Sequence, residues 1–322
     1  MQVLIPGGAG YLGSVLTSHL LRHGHHVRVL DCLRHGVSGL SAMRGDIGLE
    51  VVRGDVRSSE AVEQVLTGVD AVVHLAAIVG DPACARKPLD AWGINYEATK
   101  EVVRAAARRG VRRFVFASTC SNYGKMAGDT PYVGENAPLR PLSLYAESKV
   151  AAEKELLGAS EDVPAVSTVL RFATLYGLSP RMRFDLTVNE FTLTLATGQK
   201  LIVFGEQFWR PYLHVRDAAE AIGLVLESAP ALVAGEVFNV GSTAENYRKL
   251  DIVRLLTDRI PTAQVEFVAR EEDPRDYRVS CERIQERLGF VPRHAVADGI
   301  AEICDAIRQG EFQDHADPGY RN

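Results

Sequence analysis

Two side chains four residues apart, Tyr145 and Lys149, have the types and the spacing for acid–base chemistry. They lie in a segment with a helical pattern, and residues four apart stack on one face of a helix. An ammonium beside a phenol lowers the pKa of the tyrosine, so Tyr145 would serve as a base near neutral pH. Thr119 lies in a cluster of hydroxyl side chains that follows a strand-like run. The tyrosine–lysine spacing alone also suits an exposed helix face.

Three glycines at a spacing of three, Gly7, Gly10 and Gly13, follow the first strand-like run and open a helical segment. Glycine lets the backbone approach a pyrophosphate, and a helix N-terminus offers free N–H groups and a positive dipole end. A tight structural turn would use the same residues. Asp31, however, lies about twenty positions further on, where a carboxylate accepts both hydroxyls of an adenosine ribose and repels a 2′-phosphate. The combination predicts a dinucleotide site that prefers NAD to NADP.

The elements that must position these residues alternate along the first half of the chain. Short β-branched runs are separated by helical patterns, and the runs occupy residues 3–5, 27–30, 51–52, 71–75 and 113–117. Strands alternating with helices predict an α/β fold, a doubly wound parallel sheet of Rossmann type with helices on both faces. Ligands bind at the carboxyl ends of the strands in such a sheet. The glycine turn, Asp31 and Thr119 all fall at those ends.

After about residue 170 the alternation breaks down, which predicts a smaller, interleaved C-terminal substrate lobe. Its predicted elements are a helix over 181–199, a strand over 201–204, a helix over 218–227, a strand over 238–240 and a helix over 296–308. The expected division is a NAD-binding domain over 1–170, to which 211–243 returns, a substrate lobe over 171–210 and 244–310, and a flexible tail over 311–322.

The composition excludes several classes of protein. Of 322 residues, 46% are hydrophobic and 24% charged, which excludes disorder, and the net charge of −5 excludes nucleic-acid binding by bulk electrostatics. We find no membrane-spanning run and no signal sequence, so we expect a cytoplasmic protein with its five cysteines reduced. His23, His25 and His26 crowd together at the end of the first helix, away from the predicted site, and we predict no metal.

In combination, these motifs resemble the extended short-chain dehydrogenases/reductases, in the NAD-dependent nucleotide-sugar epimerase/dehydratase group that includes UDP-glucose 4-epimerases. The resemblance runs from residue 2 to about residue 308. Its further motifs are Gly54-Asp55-Val56, His74-Leu75-Ala76-Ala77, Asn95 and Arg210-Pro211-Tyr212-Leu213-His214-Val215-Arg216-Asp217. The resemblance implies an enzyme with NAD as cofactor and a nucleotide sugar as substrate.

The resemblance also implies roles for individual residues. Thr119, Tyr145 and Lys149 would be catalytic, with Thr119 bonded to the reacting sugar hydroxyl and Lys149 holding the nicotinamide ribose. The residues implied to line the cofactor are Gly7, Gly10, Tyr11, Leu12, Gly13, Asp31, Leu33, Asp55, Val56, Leu75, Ala76, Ala77, Asn95, Tyr145 and Lys149. Those implied to bind the substrate are Cys120, Ser121, Thr174, Asn189, Arg210, Arg270 and Arg275. The arginines would meet the nucleotide diphosphate, although surface salt bridges would use them equally well.

Several positions depart from the patterns of the group. Its dehydratases carry an Asp-Glu pair directly after the active-site threonine, where this chain has Cys120 and Ser121. A catalytic thiol at Cys120 and a packed, inert one are both open. Thr174 replaces the asparagine that contacts the nucleotide sugar in relatives, and with the unusual runs 80–84 and 181–185 it indicates an altered sugar site.

The resemblance therefore favours epimerisation at carbon 4 through a transient keto-sugar, with NAD regenerated in each turnover. Net reduction, dehydration or decarboxylation on the same scaffold is the alternative, and a non-catalytic NAD-binding regulator is a third hypothesis. The resemblance also implies a homodimer packed through helices around 95–109 and 145–158. Alanine-rich faces on these helices would allow close approach, although core packing explains them equally well.

Overall fold

The computed structural model describes residues 1–126, 131–158, 162–269, 276–312, 314 and 317–322. Its strands are β1 (Gln2–Pro6), β2 (His26–Asp31), β3 (Leu49–Arg53), β4 (Ala71–His74), β5 (Arg113–Thr119), β6 (Val166–Phe172), β7 (Thr174–Tyr176), β8 (Leu201–Phe204), β9 (Trp209–His214), β10 (Glu236–Val240), β11 (Asn246–Arg248) and β12 (Val265–Val268). Its α-helices are α1 (Tyr11–Arg22), α2 (Ser59–Val65), α3 (Asp81–Arg86), α4 (Pro88–Trp92), α5 (Thr99–Arg108), α6 (Leu144–Leu157), α7 (Thr187–Ala196), α8 (Val215–Glu227), α9 (Pro230–Val233), α10 (Lys249–Arg259), α11 (Glu282–Leu288) and α12 (Val296–Arg308).

The central sheet confirms the predicted doubly wound fold. Its seven strands run in the order β10-β6-β5-β4-β1-β2-β3, and every neighbouring pair is parallel. Apolar strands such as β1 and β4 are buried on both faces, as helices on both sides of a parallel sheet require. The direction of winding reverses between β1 and β4, so a crevice opens beyond the carboxyl ends of these strands. That crevice is where the predicted site residues converge.

The smaller lobe contains two short sheets, β11-β9-β7 and β12-β8, which share a core with α7, α10 and α12. The chain then returns to the central sheet, because α8 packs against α1 and β10 pairs with β6. This interleaving is of the kind that the sequence predicts. The individual domain boundaries stay a prediction.

The predicted helix over 181–199 is wrong in its first third. The helix begins at Thr187, and residues 181–186 form a loop. Phe184 explains the difference, since its side chain is fully buried and its N–H donates to the carbonyl oxygen of Tyr320 at 2.8 Å. A backbone donor used by a distant segment is not available to a helical turn, and tertiary packing overrides helix propensity here. The helix predicted over 218–227 begins three residues earlier, at Val215, because the His214 side chain accepts the N–H of Arg216 at 3.2 Å.

Part of the C-terminal segment packs on this loop, although the sequence predicts a flexible tail. The rings of Phe312 and Tyr320 lie 5.1 and 5.5 Å from that of Phe184, both edge-on. Offset and edge-to-face aromatic pairs of this kind are stabilising. The expectation of fraying is therefore wrong for these two residues, whose aromatic side chains outweigh the polar composition around them.

The alanine-rich faces proposed for dimer packing are used inside the chain. Ala105, Ala106 and Ala152 are all buried in a core that α5 and α6 form with the sheet. Core packing therefore accounts for these alanines, and the homodimer stays a prediction. No helix in the described ranges is long and apolar enough to cross a membrane.

Candidate active site

The glycine turn between β1 and α1 leaves room only for backbone. Gly7 has a φ of +85°, and a Cβ there would lie 2.6 Å from the backbone nitrogen of Ala76. A Cβ on Gly13 would collide with the carbonyl oxygen of Gly7. Gly10 precedes α1 without any side-chain hydrogen bond, so backbone N–H groups of the first turn face an anion unobstructed.

Asp31 ends β2 beside this turn. One carboxylate oxygen accepts the N–H of Ala9 at 3.1 Å, and the other accepts that of Leu33 at 2.8 Å. Each oxygen keeps a lone pair for a ribose hydroxyl. Leu33 has a φ of +55°, the one positive φ of a non-glycine in the described ranges, and such backbone strain clusters at ligand sites. The bare glycine cradle and the carboxylate together fit NAD.

The remaining predicted cofactor residues lie at the same edge of the sheet. Leu75, Ala76 and Ala77 directly follow β4, and Ala76 closes against Gly7. Asp55 and Val56 follow β3, where Asp55 pairs with Arg57 at 2.7 Å. Their contacts with the cofactor stay predictions.

We expect Gly13→Ala to reduce NAD affinity at least tenfold, because the added methyl group would force the carbonyl of Gly7 out of the turn. Isothermal titration with NAD measures the effect. Gly134→Ala is the matched control, since a Cβ on Gly134 meets no atom within 4 Å. Unchanged affinity in Gly13→Ala would place the cofactor elsewhere.

Tyr145 and Lys149 lie in the first two turns of α6, as predicted. Ser143 caps this helix, since its Oγ accepts the N–H of Ala146 at 3.3 Å. Tyr145 is half-buried and packs against a small cluster that contains Cys84. Lys149 is buried, and its Nζ donates to the carbonyl oxygen of Ala117 at 2.8 Å. The helix thus brings the ammonium of Lys149 to the end of β5.

The prediction that Lys149 lowers the pKa of Tyr145 is not supported by this arrangement. Burial raises the pKa of Tyr145, and the neighbouring Cys84 adds to the shift. The cation that most opposes the increase in this pKa is Arg183 rather than Lys149. Activation of the phenol therefore depends on positive charge beyond that of Lys149, which the nicotinamide ring of NAD supplies when bound.

The chain contains a second Tyr-x-x-x-Lys pair, Tyr96 and Lys100, so the spacing alone does not single out Tyr145. The Nζ of Lys100 lies 5.3 Å from the centre of the Tyr96 ring and pairs with Glu97 at 2.7 Å. Tyr96 is therefore a natural control for Tyr145.

The burial of Lys149 makes a testable contribution to pH dependence. Desolvation lowers its pKa from 10.5 to about 8, so the unfolded chain binds more protons than the folded chain between these pH values. The contribution of Lys149 to stability must then rise with pH in this window. We expect the free energy of unfolding to rise relative to that of Lys149→Met, by at most about 1.4 kcal/mol per pH unit. Urea unfolding from pH 6 to about 10.5 measures both proteins, and parallel curves throughout would contradict the assignment.

Thr119 and Ser121 form the hydroxyl cluster that the sequence predicts, whereas Cys120 does not join it. The Oγ1 of Thr119 accepts the N–H of Ser121 at 3.1 Å, and the Oγ of Ser121 lies 3.3 Å from the hydroxyl of Tyr277. Cys120 points into the core, and its thiol donates to the carbonyl of Arg171 at 3.1 Å. Burial raises its pKa well above the usual range. The structure therefore corrects the implied substrate contact of Cys120 and favours a packed, inert thiol.

A buried ion pair lies beneath these residues. Glu153, one turn beyond Lys149 on α6, pairs with Arg171 of β6 at 2.7 Å, and both side chains are almost fully buried. Glu153 also accepts hydrogen bonds from the hydroxyl of Ser118 and from the amide of Asn122. Ser118 and Asn122 flank Thr119 in the chain. The ion pair therefore fixes the strand end that carries Thr119 relative to the helix that carries Tyr145.

Arg210 lies near the hydroxyl cluster, as its implied substrate role requires. It lies on β9, and its guanidinium is 5.5 Å from the ring centre of Tyr277, whose hydroxyl meets Ser121. Thr174 begins β7 and pairs with Tyr212 of the neighbouring strand β9. Arg270 and Arg275 lie outside the described residues.

Asn189 is used inside the protein rather than presented to a substrate. It is fully buried on α7, where its Oδ1 accepts the N–H of Gly177 at 3.0 Å. Its Nδ2 donates to the hydroxyl of Tyr11 at 3.2 Å and to the carbonyl of Arg183 at 2.9 Å. The hydroxyl of Tyr11 in turn donates to the carbonyl of Gly177 at 2.7 Å. Both residues thus hold the loop over 177–183 against the glycine turn.

Asn95, which the sequence predicts to line the cofactor, bonds to α6, and its contact with the cofactor stays a prediction. It lies in a π-helical turn, Gly93–Ala98, of a kind frequent at functional sites. Its Oδ1 accepts the N–H of Ile78 at 2.8 Å, and its Nδ2 donates to the Oγ of Ser148 at 3.3 Å. Ser148 precedes Lys149, so this amide ties the segment after β4 to α6.

Arg183 belongs to the unusual run over 181–185, but it is not among the site residues predicted from the sequence. It is buried, and it forms a two-point pair with Asp185 at 3.0 and 2.7 Å. Burial raises the pKa of Tyr11 and of Tyr145, and the charge of Arg183 opposes both increases. The charged composition of 181–185 was the available signal.

A parallel sheet with a glycine cradle at its switch point, and a Tyr–Lys helix beside a threonine at a strand end, define a Rossmann-type enzyme of the short-chain dehydrogenase/reductase class. The chain belongs to the NAD dependent epimerase/dehydratase family, whose model matches residues 3–241. NAD is the cofactor of this family.

Individual relatives carry two different activities. The chain is 31% identical to a UDP-glucose 4-epimerase of Corynebacterium glutamicum, with 94% of each chain covered. It is 32% identical to a dTDP-glucose 4,6-dehydratase of Streptomyces griseus, with 93% of this chain and 92% of the relative covered. Among solved structures it resembles a dTDP-glucose 4,6-dehydratase of Streptomyces venezuelae with NAD and TYD bound, at 26% identity and a TM-score of 0.87, covering 98% and 99% of the two chains.

Proposed function

We propose that the protein is a nucleotide-sugar 4-epimerase that works through a transient 4-keto-sugar and regenerates its NAD in each turnover. The observation that carries the proposal is the hydroxyl cluster at Thr119. The Thr119–Tyr145–Lys149 set is intact, yet the positions after Thr119 hold a core-facing Cys120 and a hydroxyl, Ser121. This set can remove and return a hydroxyl proton, and it offers no neighbouring carboxylate pair for elimination.

The residues divide the work as follows. Thr119 hydrogen-bonds the reacting hydroxyl of the sugar, and Tyr145 takes its proton. When bound, NAD supplies reversible hydride acceptance at the sugar carbon. Lys149 orients the cofactor end of the site, and Arg210 meets the nucleotide diphosphate, for which a guanidinium is well shaped. The chain thus contributes orientation and a base.

Dehydration is the second candidate, because relatives of similar identity are named dTDP-glucose 4,6-dehydratases. Loss of water needs an acid for the leaving hydroxyl and a base for the neighbouring C–H. Cys120 is unsuited to either role, since its thiol is bonded to the Arg171 carbonyl inside the core. Epimerisation needs neither group, so it fits the described side chains better.

A panel of UDP-, dTDP-, GDP- and ADP-linked sugars in heavy water, without added cofactor, tests the proposal. NMR and mass spectrometry identify the products. An isomer of unchanged mass without carbon-bound deuterium is the expected result. Loss of water or carbon dioxide would replace epimerisation by dehydration or decarboxylation, and consumption of added NADH would indicate net reduction. Stable NAD binding without conversion of any sugar would favour a regulator.

A further inference from the structure

We propose that Arg181, contributed by the loop of the substrate lobe, binds the 5′-diphosphate of the adenine dinucleotide and so joins the two lobes across the cofactor. The inference depends on NAD binding and not on which sugar reaction the enzyme performs. It rests on where the loop docks, on the unmet bonding capacity of Arg181, and on the charges around it.

The loop over 177–181 docks directly onto the first turn of α1. The Oγ of Ser179 donates to the carbonyl of Tyr11 at 2.7 Å and lies 3.1 Å from the Oγ of Ser14. A Cβ on Gly39 would lie 2.9 Å from the carbonyl oxygen of Ala9 and 3.1 Å from the Cβ of Arg181, so Gly39 is in contact with both residues. The side chain of Arg181 therefore starts beside the glycine turn, although its residue belongs to the other lobe.

Arg181 has bonding capacity that the protein leaves unmet. The side chain is 4% exposed, and within the described part of the chain its Nε is buried without a hydrogen-bond partner. Its Nη2 donates to the carbonyl of Arg321 at 3.1 Å, and among the described residues it has no carboxylate partner. A buried, unpaired donor on a cation is costly, so a site that retains one is typically completed by an anion.

The neighbouring charges single out Arg181 from the other cations here. Arg183 is neutralised by its two-point pair with Asp185. Burial, and next the charge of Arg181, lower the pKa of His35 to about 4, so this imidazole is neutral at pH 7. The negative charge of Asp31 raises the pKa of Arg181. At the position of the adenosine ribose, the same carboxylate would repel a 2′-phosphate. The 5′-diphosphate, which the N–H groups of the turn also face, is the anion left for Arg181.

Titration calorimetry of the full chain, cleared of bound NAD, with ADP, adenosine and 2′-AMP separates a phosphate contact from a structural one. We expect Arg181→Gln to weaken ADP binding by roughly ten- to a hundredfold and to leave adenosine binding within about twofold, since a charge-assisted hydrogen bond is lost only with the phosphates. Arg181→Lys keeps the charge and should lose less. Arg113→Gln is the matched control, because within the described ranges Arg113 donates to the carbonyls of Val225 and Ser228, at the other end of the sheet.

Three results would overturn the proposal. Unchanged ADP affinity in Arg181→Gln would show that Arg181 only holds the carbonyl of Arg321 and does not contact the phosphates. Equal losses for ADP and adenosine would show that the change distorts the turn. A loss confined to 2′-AMP would move the contact to the 2′ position. If Arg181→Gln does not fold, the same comparison is made with Arg181→Lys, for which equal ADP and adenosine effects are again the negative result.

Discussion

Replacing Tyr145 with phenylalanine should reduce turnover by about 10²- to 10⁴-fold, the range that a positioned general base contributes. The change removes one oxygen from a half-buried side chain on α6 and leaves the glycine turn untouched. NAD affinity should therefore stay within a few-fold of the parent value. Turnover on the sugar found in the panel and calorimetric NAD binding are the two measurements.

Tyr96→Phe is the control for this variant. It removes the same oxygen at the same spacing to a lysine, Lys100, whose ammonium pairs with Glu97 at 2.7 Å. We expect its turnover to be that of the parent. Retained turnover in Tyr145→Phe would remove Tyr145 from the mechanism, and equal losses in the two variants would point to a general effect on the fold.

Replacing Glu153 with alanine should lower the free energy of unfolding by about 3–5 kcal/mol, because it leaves the guanidinium of Arg171 buried without its carboxylate. The same change releases Ser118 and Asn122 from α6, so turnover should fall more than substrate affinity. Denaturant unfolding gives the stability, and the separate effects on kcat and KM give the catalytic consequence.

Glu155→Ala is the matched control, two residues further along the same helix. Glu155 pairs with Arg104 at 2.9 Å in a partly exposed position, and such pairs contribute about 0–1 kcal/mol. A small stability loss in Glu153→Ala, similar to that of Glu155→Ala, would show that the buried network does not hold the site together. Partial recovery in Glu153→Gln is expected, since one amide oxygen can still accept from Ser118, Asn122 and the Nε of Arg171, whereas the bond from the Nη2 of Arg171 is lost.

The sequence predicts the central sheet correctly, and it predicts a cofactor site at one edge of that sheet, because both follow from patterns of neighbouring residues. Apolar runs alternate with helical patterns, and the glycine turn lies within one strand–helix junction. Asp31 and the Tyr145–Lys149 pair are likewise fixed by local spacing. Features that depend on a segment's own periodicity or on a single turn survive folding unchanged.

The second lobe is predicted less well for the opposite reason. Its loop over 181–186 has the composition of a helix. Phe184, however, donates its N–H to the carbonyl oxygen of Tyr320, and its ring packs against those of Phe312 and Tyr320. These partners are more than 120 positions away in the chain. Burying aromatic surface contributes roughly 25 cal/mol per Å². The gain at these three rings exceeds the few tenths of a kcal/mol per residue that helix propensity contributes.

By itself, then, the sequence determines a NAD-binding Rossmann fold of the epimerase/dehydratase family, since this follows from short-range patterns, and it predicts Tyr145 as the base. Only the tertiary structure decides which way neighbouring side chains point. It turns Cys120 into the core and Ser121 toward Tyr277, commits Asn189 to the glycine turn, and brings Arg181 and Arg183 beside a cofactor site built 170 residues earlier. Those placements depend on close packing between distant segments, and no local pattern encodes that packing.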